Sequence, residues 1–141
     1  MKKREMPKLA RMYLAYKHEL GTTDSDKAHL EDLDFFAYSK DVDVVEIFER
    51  TGTRKPNCIG FFIVLKGLMQ GYDYFIQETY IEPAYRRLGI MSKELRNYFE
   101  THKGKYGLYI MPNNIKAKLF WTSTAEGLHN VRDDYYSFEV E

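Results

Sequence analysis

The chain has 141 residues, with 21 basic and 21 acidic side chains, zero net charge and an aromatic content of 16%. The charge balance argues against a surface that binds the nucleic-acid backbone, because such surfaces carry a basic excess. No apolar run approaches the ~20 residues that a membrane-spanning helix needs. The single cysteine, Cys58, cannot form an internal disulfide, so we expect a reducing, cytoplasmic setting. The length predicts a single domain over residues 1–141.

The N-terminal part of the chain is predicted to form two helices followed by two strands. Apolar residues at helical spacing predict the helices, and polar residues that favour N-caps stand before the second one. The last strand is a continuous apolar run, which is typical of a strand covered on both faces. These elements are a helix over Pro7–Leu20, a helix from Asp24 or Ser25 to Tyr38, and strands over Val42–Glu49 and Cys58–Leu65.

The remainder is predicted to alternate between strands and helices. A strand, a helix and a strand in this order normally cross over to a parallel neighbour, whereas three strands joined by short turns favour an antiparallel meander. The sequence therefore predicts a mixed α/β fold, with a mostly antiparallel sheet flanked by helices. The predicted elements are a strand over Tyr72–Ile81, a helix from Gly89 to His102, a strand over Tyr106–Met111, a helix from Asn113 or Asn114 to Thr124, and a strand over Tyr135–Val140.

The turn between the Tyr72 strand and the next helix is a candidate phosphate site. Pro83 ends the strand, and Arg86, Arg87 and Gly89 precede the helix. A helix entered through a tight cationic turn presents unpaired N–H groups and the positive end of its dipole, which together favour an anion. The alternative is an ordinary turn whose arginines are solvated.

Two motifs resemble those of the GNAT superfamily of N-acetyltransferases. The run Arg86–Met91, R-R-L-G-I-M, is similar to the family's pyrophosphate loop, [QR]-x-x-G-x-[GA]. The run Asn114–Trp121 is similar to the family's later N-x-x-A-x-x-[LF]-Y helix. The resemblance implies a small GNAT-like fold and transfer of an acetyl group from acetyl-coenzyme A to a primary amine by direct attack.

The resemblance also implies which residues would bind acetyl-coenzyme A. Backbone groups at the end of the Tyr72 strand would pair with the pantetheine arm as if with another strand. The loop amides would hold the pyrophosphate, and the cofactor would sit in a cleft between the Tyr72 and Tyr106 strands. Asn114 would reach the pantetheine amides or would simply cap its helix. The implied cofactor-binding residues are Thr79, Tyr80, Ile81, Arg86, Arg87, Leu88, Gly89, Ile90, Met91, Ser92 and Asn114.

Glu78 is the candidate general base, because acyl transfer to an amine requires removal of a proton from the ammonium. Gln77 is an alternative that can orient a water molecule but cannot accept the proton. The opposing interpretation of Glu78 is a glutamate on a solvated strand face. The glutamate position that is frequent in the family falls on Phe75, unless a bulge shifts the register by one residue.

Two residues depart from the family pattern. Met91 stands where the family has glycine or alanine, and its side chain would either turn into the core or narrow the cofactor pocket. Trp121 stands where many members have a tyrosine that protonates the departing thiolate, and an indole cannot serve as that acid. Tyr106 and Tyr109 are possible substitutes, although core packing is the expected role of both. These departures favour a second hypothesis, a catalytically silent GNAT-like binding or inhibitory protein.

Other kinds of site are not indicated. The four histidines lack the spacing of metal ligands, so we expect no metal. The acceptor amine, on a small molecule or a protein, is not specified by any motif. Exposed tyrosines are compatible with a homodimer, and we expect neither a membrane nor a nucleic acid as partner.

Overall fold

The computed structural model describes residues 6–49 and 55–141. The elements up to the third strand lie close to their predicted positions, and Ser25 is the residue that caps the second helix. Most of the predicted connection over residues 51–57 lies outside the described residues. The elements are α1 Met6–Leu20, α2 Asp26–Tyr38, β1 Val42–Glu49, β2 Asn57–Lys66 and β3 Tyr74–Ile81.

The later elements follow the predicted alternation, with two additions, a short 3-10 helix and a short strand. The fourth strand begins two residues earlier than predicted and ends at Tyr109, and Asn114 is the cap of the following helix. The elements are a short 3-10 helix Pro83–Tyr85, then α3 Ile90–Thr101, β4 Gly104–Tyr109, α4 Ile115–Thr124, β5 His129–Arg132 and β6 Tyr135–Val140.

The six strands form one mixed sheet in the order β1-β2-β3-β4-β6-β5. β3 and β4 are parallel, with Tyr74–Ile76 opposite Tyr106–Leu108, as expected of strands joined through a helix. β6 is antiparallel to both β4 and β5. The mixed α/β fold class predicted from the sequence is confirmed.

Over residues 6–49 and 55–141, β5 is the one strand that the sequence pattern did not predict. All four of its residues are exposed, so it has no alternation of apolar and polar side chains to identify it. It pairs with β6 across a shift in register between Asn130 and Arg132. The turn between them contains Asp133 in the left-handed region, with φ 50°. A short strand of this kind depends on its partner for its hydrogen bonds.

The chain divides into two compact units, each with an apolar interior. Among the described residues, the first unit comprises 6–49, 55–63 and 78–86. Its helices contribute side chains that are almost fully buried, such as Leu9 and Leu33. β2 is buried without interruption from Cys58 to Leu65, which confirms that both faces of this strand are covered. Large buried residues of the first unit are Leu9, Tyr13, Leu33, Ile47, Ile59, Phe61 and Phe62.

The second unit comprises residues 64–77 and 87–141, and aromatic rings form much of its interior. The Tyr106 ring stacks on Tyr74 with centroids 4.9 Å apart and on Phe138 at 5.0 Å. Phe99 of α3 meets both Tyr106 and Phe138 edge-on, at 4.9 and 5.3 Å. Such pairs stabilise the core beyond the burial of their area. The single domain predicted from the chain length stays a prediction.

Gly60 of β2 lies where the strand β3 leaves no room for a side chain. A Cβ on Gly60 would stand 2.5 Å from the carbonyl oxygen of Tyr80 and 3.0 Å from Cα of Ile81. We expect Gly60→Ala to lower the free energy of unfolding by about 2 kcal/mol, because backbone atoms cannot move aside cheaply. Denaturant unfolding measures the change.

Gly21→Ala is the matched control for this substitution. Gly21 has a φ of +73° and open space around its Cα, so alanine there adds backbone strain without a collision. The control is expected to cost about 1 kcal/mol. An unfolding free energy for Gly60→Ala equal to that of the parent would contradict the close approach.

Candidate active site

The turn before α3 has the backbone geometry of an anion site. Arg87 and Gly89 both adopt positive φ, of 65° and 76°. Gly89 is the N-cap of α3 and supplies no side-chain hydrogen bond, and the first turn of the helix has no acidic residue. The first amides of a helix have no intrahelical acceptor. This helix end is therefore capped by no side chain, and its dipole favours a negative group.

Side chains of the turn divide between solvent and core. Leu88 is 66% exposed, whereas Met91 is only 7% exposed. Of the two interpretations of Met91, the inward one is therefore the one observed. The Ser92 hydroxyl shares a hydrogen bond of 2.6 Å with Thr124, so its side chain already has a protein partner. The groups of this turn that could contact a ligand are therefore mainly its backbone amides and the exposed side chain of Arg87.

Arg86 has a different environment from Arg87. Its two terminal nitrogens contact the Glu19 carboxylate at 2.6 and 2.8 Å, and its Nε donates to the carbonyl of Ile81 at 2.9 Å. The guanidinium also lies 5.5 Å from the centre of the Tyr80 ring. The hydrogen bond from Arg86 lowers the pKa of Glu19, and the same bond raises the pKa of Arg86. The charge of Arg86 is thus neutralised by a residue 67 positions away, which no local pattern indicates.

The end of β3 contains the residues expected to meet the pantetheine arm. The Tyr80 ring is buried against Tyr16 and Phe61, each with centroids 5.8 Å away. The Thr79 and Ile81 side chains are half-buried. The register of β3 with β4 covers Tyr74–Ile76, so these three residues follow it in the strand.

Glu78 is buried and fully engaged. Its side chain is 7% exposed, and its Oε2 lies 2.5 Å from Nζ of Lys17. The Tyr13 hydroxyl donates to Oε2 at 3.3 Å, and the Tyr16 hydroxyl donates to Oε1 at 3.1 Å. The alternative of a glutamate on a solvated face is therefore wrong. Gln77 is exposed on the opposite side of the strand.

The tyrosines around Glu78 retain their protons. Burial raises the pKa of both Tyr13 and Tyr16 well above the usual value, and the nearby Glu78 charge raises each further. Both phenols therefore act as hydrogen-bond donors to the carboxylate over the whole physiological pH range.

Phe75, which the family pattern aligns with its glutamate, is buried against Tyr72 and Tyr135, with ring centroids 6.0 and 6.3 Å away.

The second motif contributes packing and a helix cap. Asn114 accepts a hydrogen bond from the amide of Ala117 at 3.0 Å, the geometry of an N-cap. Trp121 is buried, with its ring 5.2 Å from Phe120.

The two tyrosines of β4 have different environments. Tyr106 is fully buried and donates to the carbonyl of His102 at 2.6 Å, as a core residue does. Tyr109 is 48% exposed, so its expected role in core packing is wrong.

Over residues 6–49 and 55–141, no group of three or more histidine, cysteine, aspartate or glutamate side chains is arranged to hold a metal ion. Within the same ranges, no helix has the length and apolar character needed to cross a membrane.

The burial of the Lys17–Glu78 pair leads to a prediction about stability. Lys17→Met leaves a buried carboxylate without its cation, so we expect a loss of about 3 kcal/mol in the free energy of unfolding. Adding Glu78→Gln to this variant removes the unpaired charge and is expected to restore part of the loss. Denaturant unfolding of the parent, both single variants and the double variant gives the coupling energy.

Lys27→Met, at an exposed position of α2, is the control for this series. We expect it to change stability by less than about 0.5 kcal/mol. If Lys17→Met and Lys27→Met have equal effects, the ion pair does not contribute as its burial indicates.

No protein-family model and no curated protein matches this sequence. Solved structures do match. An acetyltransferase from Thermus thermophilus is 14% identical with a TM-score of 0.75, covering 99% of this chain and 93% of that one. A GNAT-family acetyltransferase from Staphylococcus aureus is 14% identical with a TM-score of 0.70, covering 100% and 96%.

A third match is the PaiA N-acetyltransferase from Thermoplasma acidophilum, solved in complex with coenzyme A. It is 12% identical with a TM-score of 0.64, and the match covers 99% of this chain and 95% of that one. All three matches extend over nearly the whole of both chains, including the strand, turn and helix that carry the loop motif. The resemblance seen in the sequence is thereby confirmed at the level of architecture: the chain has the GNAT acetyltransferase fold.

Proposed function

We propose that this protein is an acetyl-coenzyme A-dependent N-acetyltransferase that transfers an acetyl group to a primary amine by direct attack. The observation that carries the proposal is the uncapped N-terminus of α3, entered through a turn with Arg87 and Gly89 in the left-handed region. Ordinary helices favour a side-chain cap at this end, and a pyrophosphate suits the free amides and the dipole.

The turn is compatible with a bound pyrophosphate in two further respects. No atom lies within 4 Å of the position that a Cβ on Gly89 would take, so a ligand can approach the backbone there. Met91 does not narrow that approach, because its side chain is buried. Arg87–Ser92 would supply the amides, and Arg87 would supply positive charge. Arg86 would contribute little charge to phosphate, because Glu19 already pairs with it.

Thr79, Tyr80 and Ile81 remain the proposed partners of the pantetheine arm, since the β3–β4 register ends before them. The Ile81 carbonyl already accepts from Arg86, which leaves the groups of Thr79 and Tyr80 as the main candidates. Asn114 is a weaker candidate, because its side-chain oxygen caps α4. The bound cosubstrate would supply the acetyl group as a thioester.

Glu78 is the proposed base. Loss of the ammonium proton frees the nitrogen lone pair for attack, and a buried carboxylate held by two phenols is well positioned to take that proton. No acid for the leaving thiolate is assigned, because Trp121 is buried and cannot donate a proton usefully. A thiol with a pKa of ~8.5 leaves as the thiolate with little assistance.

A catalytically silent GNAT-like binding protein is the second candidate. It is favoured by the engagement of Glu78 with Lys17 and of Arg86 with Glu19, since both charged groups have partners within the protein. Calorimetry with acetyl-coenzyme A separates the two candidates. Micromolar binding, followed by thiol release in a screen of small and protein amines, supports the enzyme. Absence of binding at millimolar cosubstrate overturns it. A cytoplasmic setting and a homodimer stay predictions.

The phosphate assignment predicts that Gly89→Val lowers the affinity for acetyl-coenzyme A at least about tenfold, because a branched side chain would fill the approach to the helix amides. Valine also strains a backbone with φ +76°. Gly127→Val is the matched control, because Gly127 has a φ of +81°, open surroundings and no part in the loop. Calorimetry and melting curves should show similar destabilisation of both variants but weakened binding only in the first. Equal affinity in all three proteins would refute the assignment.

The assignment of Glu78 predicts that Glu78→Gln lowers kcat for amine acetylation by about 100-fold or more, with little change in the KM for acetyl-coenzyme A. Raising the pH should recover part of the lost rate, because an amine that is already deprotonated does not need the base. Initial rates of thiol release across pH measure both effects. A parallel loss of rate at every pH would indicate a structural role for Glu78 instead.

A further inference from the structure

Three side chains surround the amine of Lys17, and together they form what we call the ammonium cluster: Tyr13, Tyr16 and Glu78. Nζ of Lys17 lies 2.5 Å from Glu78 Oε2. It also lies 5.3 Å from the centre of the Tyr13 ring and 5.4 Å from that of Tyr16. A carboxylate combined with two aromatic faces is a set of groups that recognises an alkylammonium ion.

The cluster is built into the first unit of the fold. Tyr13 is fully buried, and its ring packs on Phe61 with centroids 5.9 Å apart. The Tyr16 ring meets Phe61 edge-on at 6.0 Å. Because these contacts fix both rings independently of Lys17, the cluster is expected to keep its shape when the lysine side chain moves.

The position of Lys17 matters because Glu78 is the proposed base. An amine that gives its proton to Glu78 must lie at hydrogen-bonding distance from one of the carboxylate oxygens. Oε1 accepts from Tyr16, while Oε2 accepts from Tyr13 and pairs with Lys17. The Lys17 ammonium therefore stands where the ammonium of a substrate would have to stand.

We infer that the ammonium cluster is the site for the ammonium group of the acceptor, and that Lys17 occupies it until the acceptor displaces it. This inference rests on the proposed function and specifies its substrate class. The acceptor carries a primary ammonium at the end of an unbranched alkyl chain, because the site is filled by such a group in the free protein.

Displacement of Lys17 is chemically balanced. One primary ammonium replaces another, so the ion pair and both cation–π contacts are re-formed and Glu78 is never left unpaired. Lys17 retains 15% side-chain exposure, and rotation about its four-carbon stem moves the amine without moving the backbone of α1. Because Lys17 and the acceptor compete for the ammonium cluster, Lys17 weakens acceptor binding. When no acceptor is present, Lys17 keeps the Glu78 carboxylate paired.

The test replaces the occupant with a small molecule. Lys17→Ala removes the lysine side chain beyond Cβ, and n-propylammonium matches the three carbons and the nitrogen that are removed. Melting curves of the full chain are recorded with increasing propylammonium chloride, with sodium chloride at equal ionic strength and with n-propanol as controls. The same series is run on the parent, on Lys17→Met and on Lys17→Ala with Glu78→Gln.

We expect propylammonium to raise the Tm of Lys17→Ala in proportion to ln(1 + [L]/Kd), by about 4 °C at ten times its dissociation constant. Sodium chloride and propanol should not reproduce the rise. The parent should respond weakly because the Lys17 side chain fills the site, and Lys17→Met should respond weakly because the methionine side chain fills the same space. The double variant Lys17→Ala with Glu78→Gln should not respond, because it lacks the carboxylate. A rise in Lys17→Ala no larger than that in Lys17→Met would overturn the inference.

A second measurement applies if Lys17→Ala does not fold. In the parent labelled with ¹⁵N-lysine, the Lys17 side-chain signal is identified by its loss in Lys17→Met. Propylammonium is expected to shift this signal towards that of an exposed lysine, and no shift up to molar concentration would contradict displacement. Calorimetry with acetyl-coenzyme A on the same samples separates the two proposals. If propylammonium raises the Tm of Lys17→Ala but the protein does not bind acetyl-coenzyme A, the cation site stands and the proposed enzyme function is wrong. If the protein binds acetyl-coenzyme A but propylammonium has no effect, the enzyme proposal stands and the cation site is wrong.

Discussion

A buried carboxylate is the constraint on which the first unit depends. Glu78 lies in the middle of a strand that is otherwise largely apolar, and a charge removed from water in this way must be paired and hydrogen-bonded. All three of its partners come from one helix, α1, at positions 13, 16 and 17. The carboxylate therefore fixes both the rotation and the height of α1 on the sheet, in a way that apolar packing alone does not.

The same helix also holds the end of β3 through Glu19. Arg86 binds this carboxylate with two nitrogens and the Ile81 carbonyl with a third, so the chain that leaves the strand is fixed to α1 before it enters the glycine turn. Ion pairs that stabilise the fold thus involve the two groups that sequence analysis assigned to catalysis and to phosphate. Under the proposed function, the Glu78 carboxylate would serve both the stability of the first unit and the reaction, a conflict that is common at active sites.

The high aromatic content has a structural explanation. In the first unit, the rings of Tyr13, Tyr16 and Tyr80 surround Phe61. In the second unit, Tyr106 joins the rings on β3, α3 and β6.

The sequence by itself determined the features that depend on neighbours in the chain. Gly89 at a helix start, Asn114 as a cap and the unbroken apolar run of β2 follow from propensity, capping and hydrophobic pattern, which act over a few residues. Only the tertiary structure decided what meets Glu78, because its phenol partners are 62 and 65 residues away. It likewise decided that Met91 turns into the core, that Glu19 neutralises Arg86, and that four exposed residues form β5 beside β6. Contacts at such separations leave no periodic signal, since they arise from which faces of distant elements are brought together.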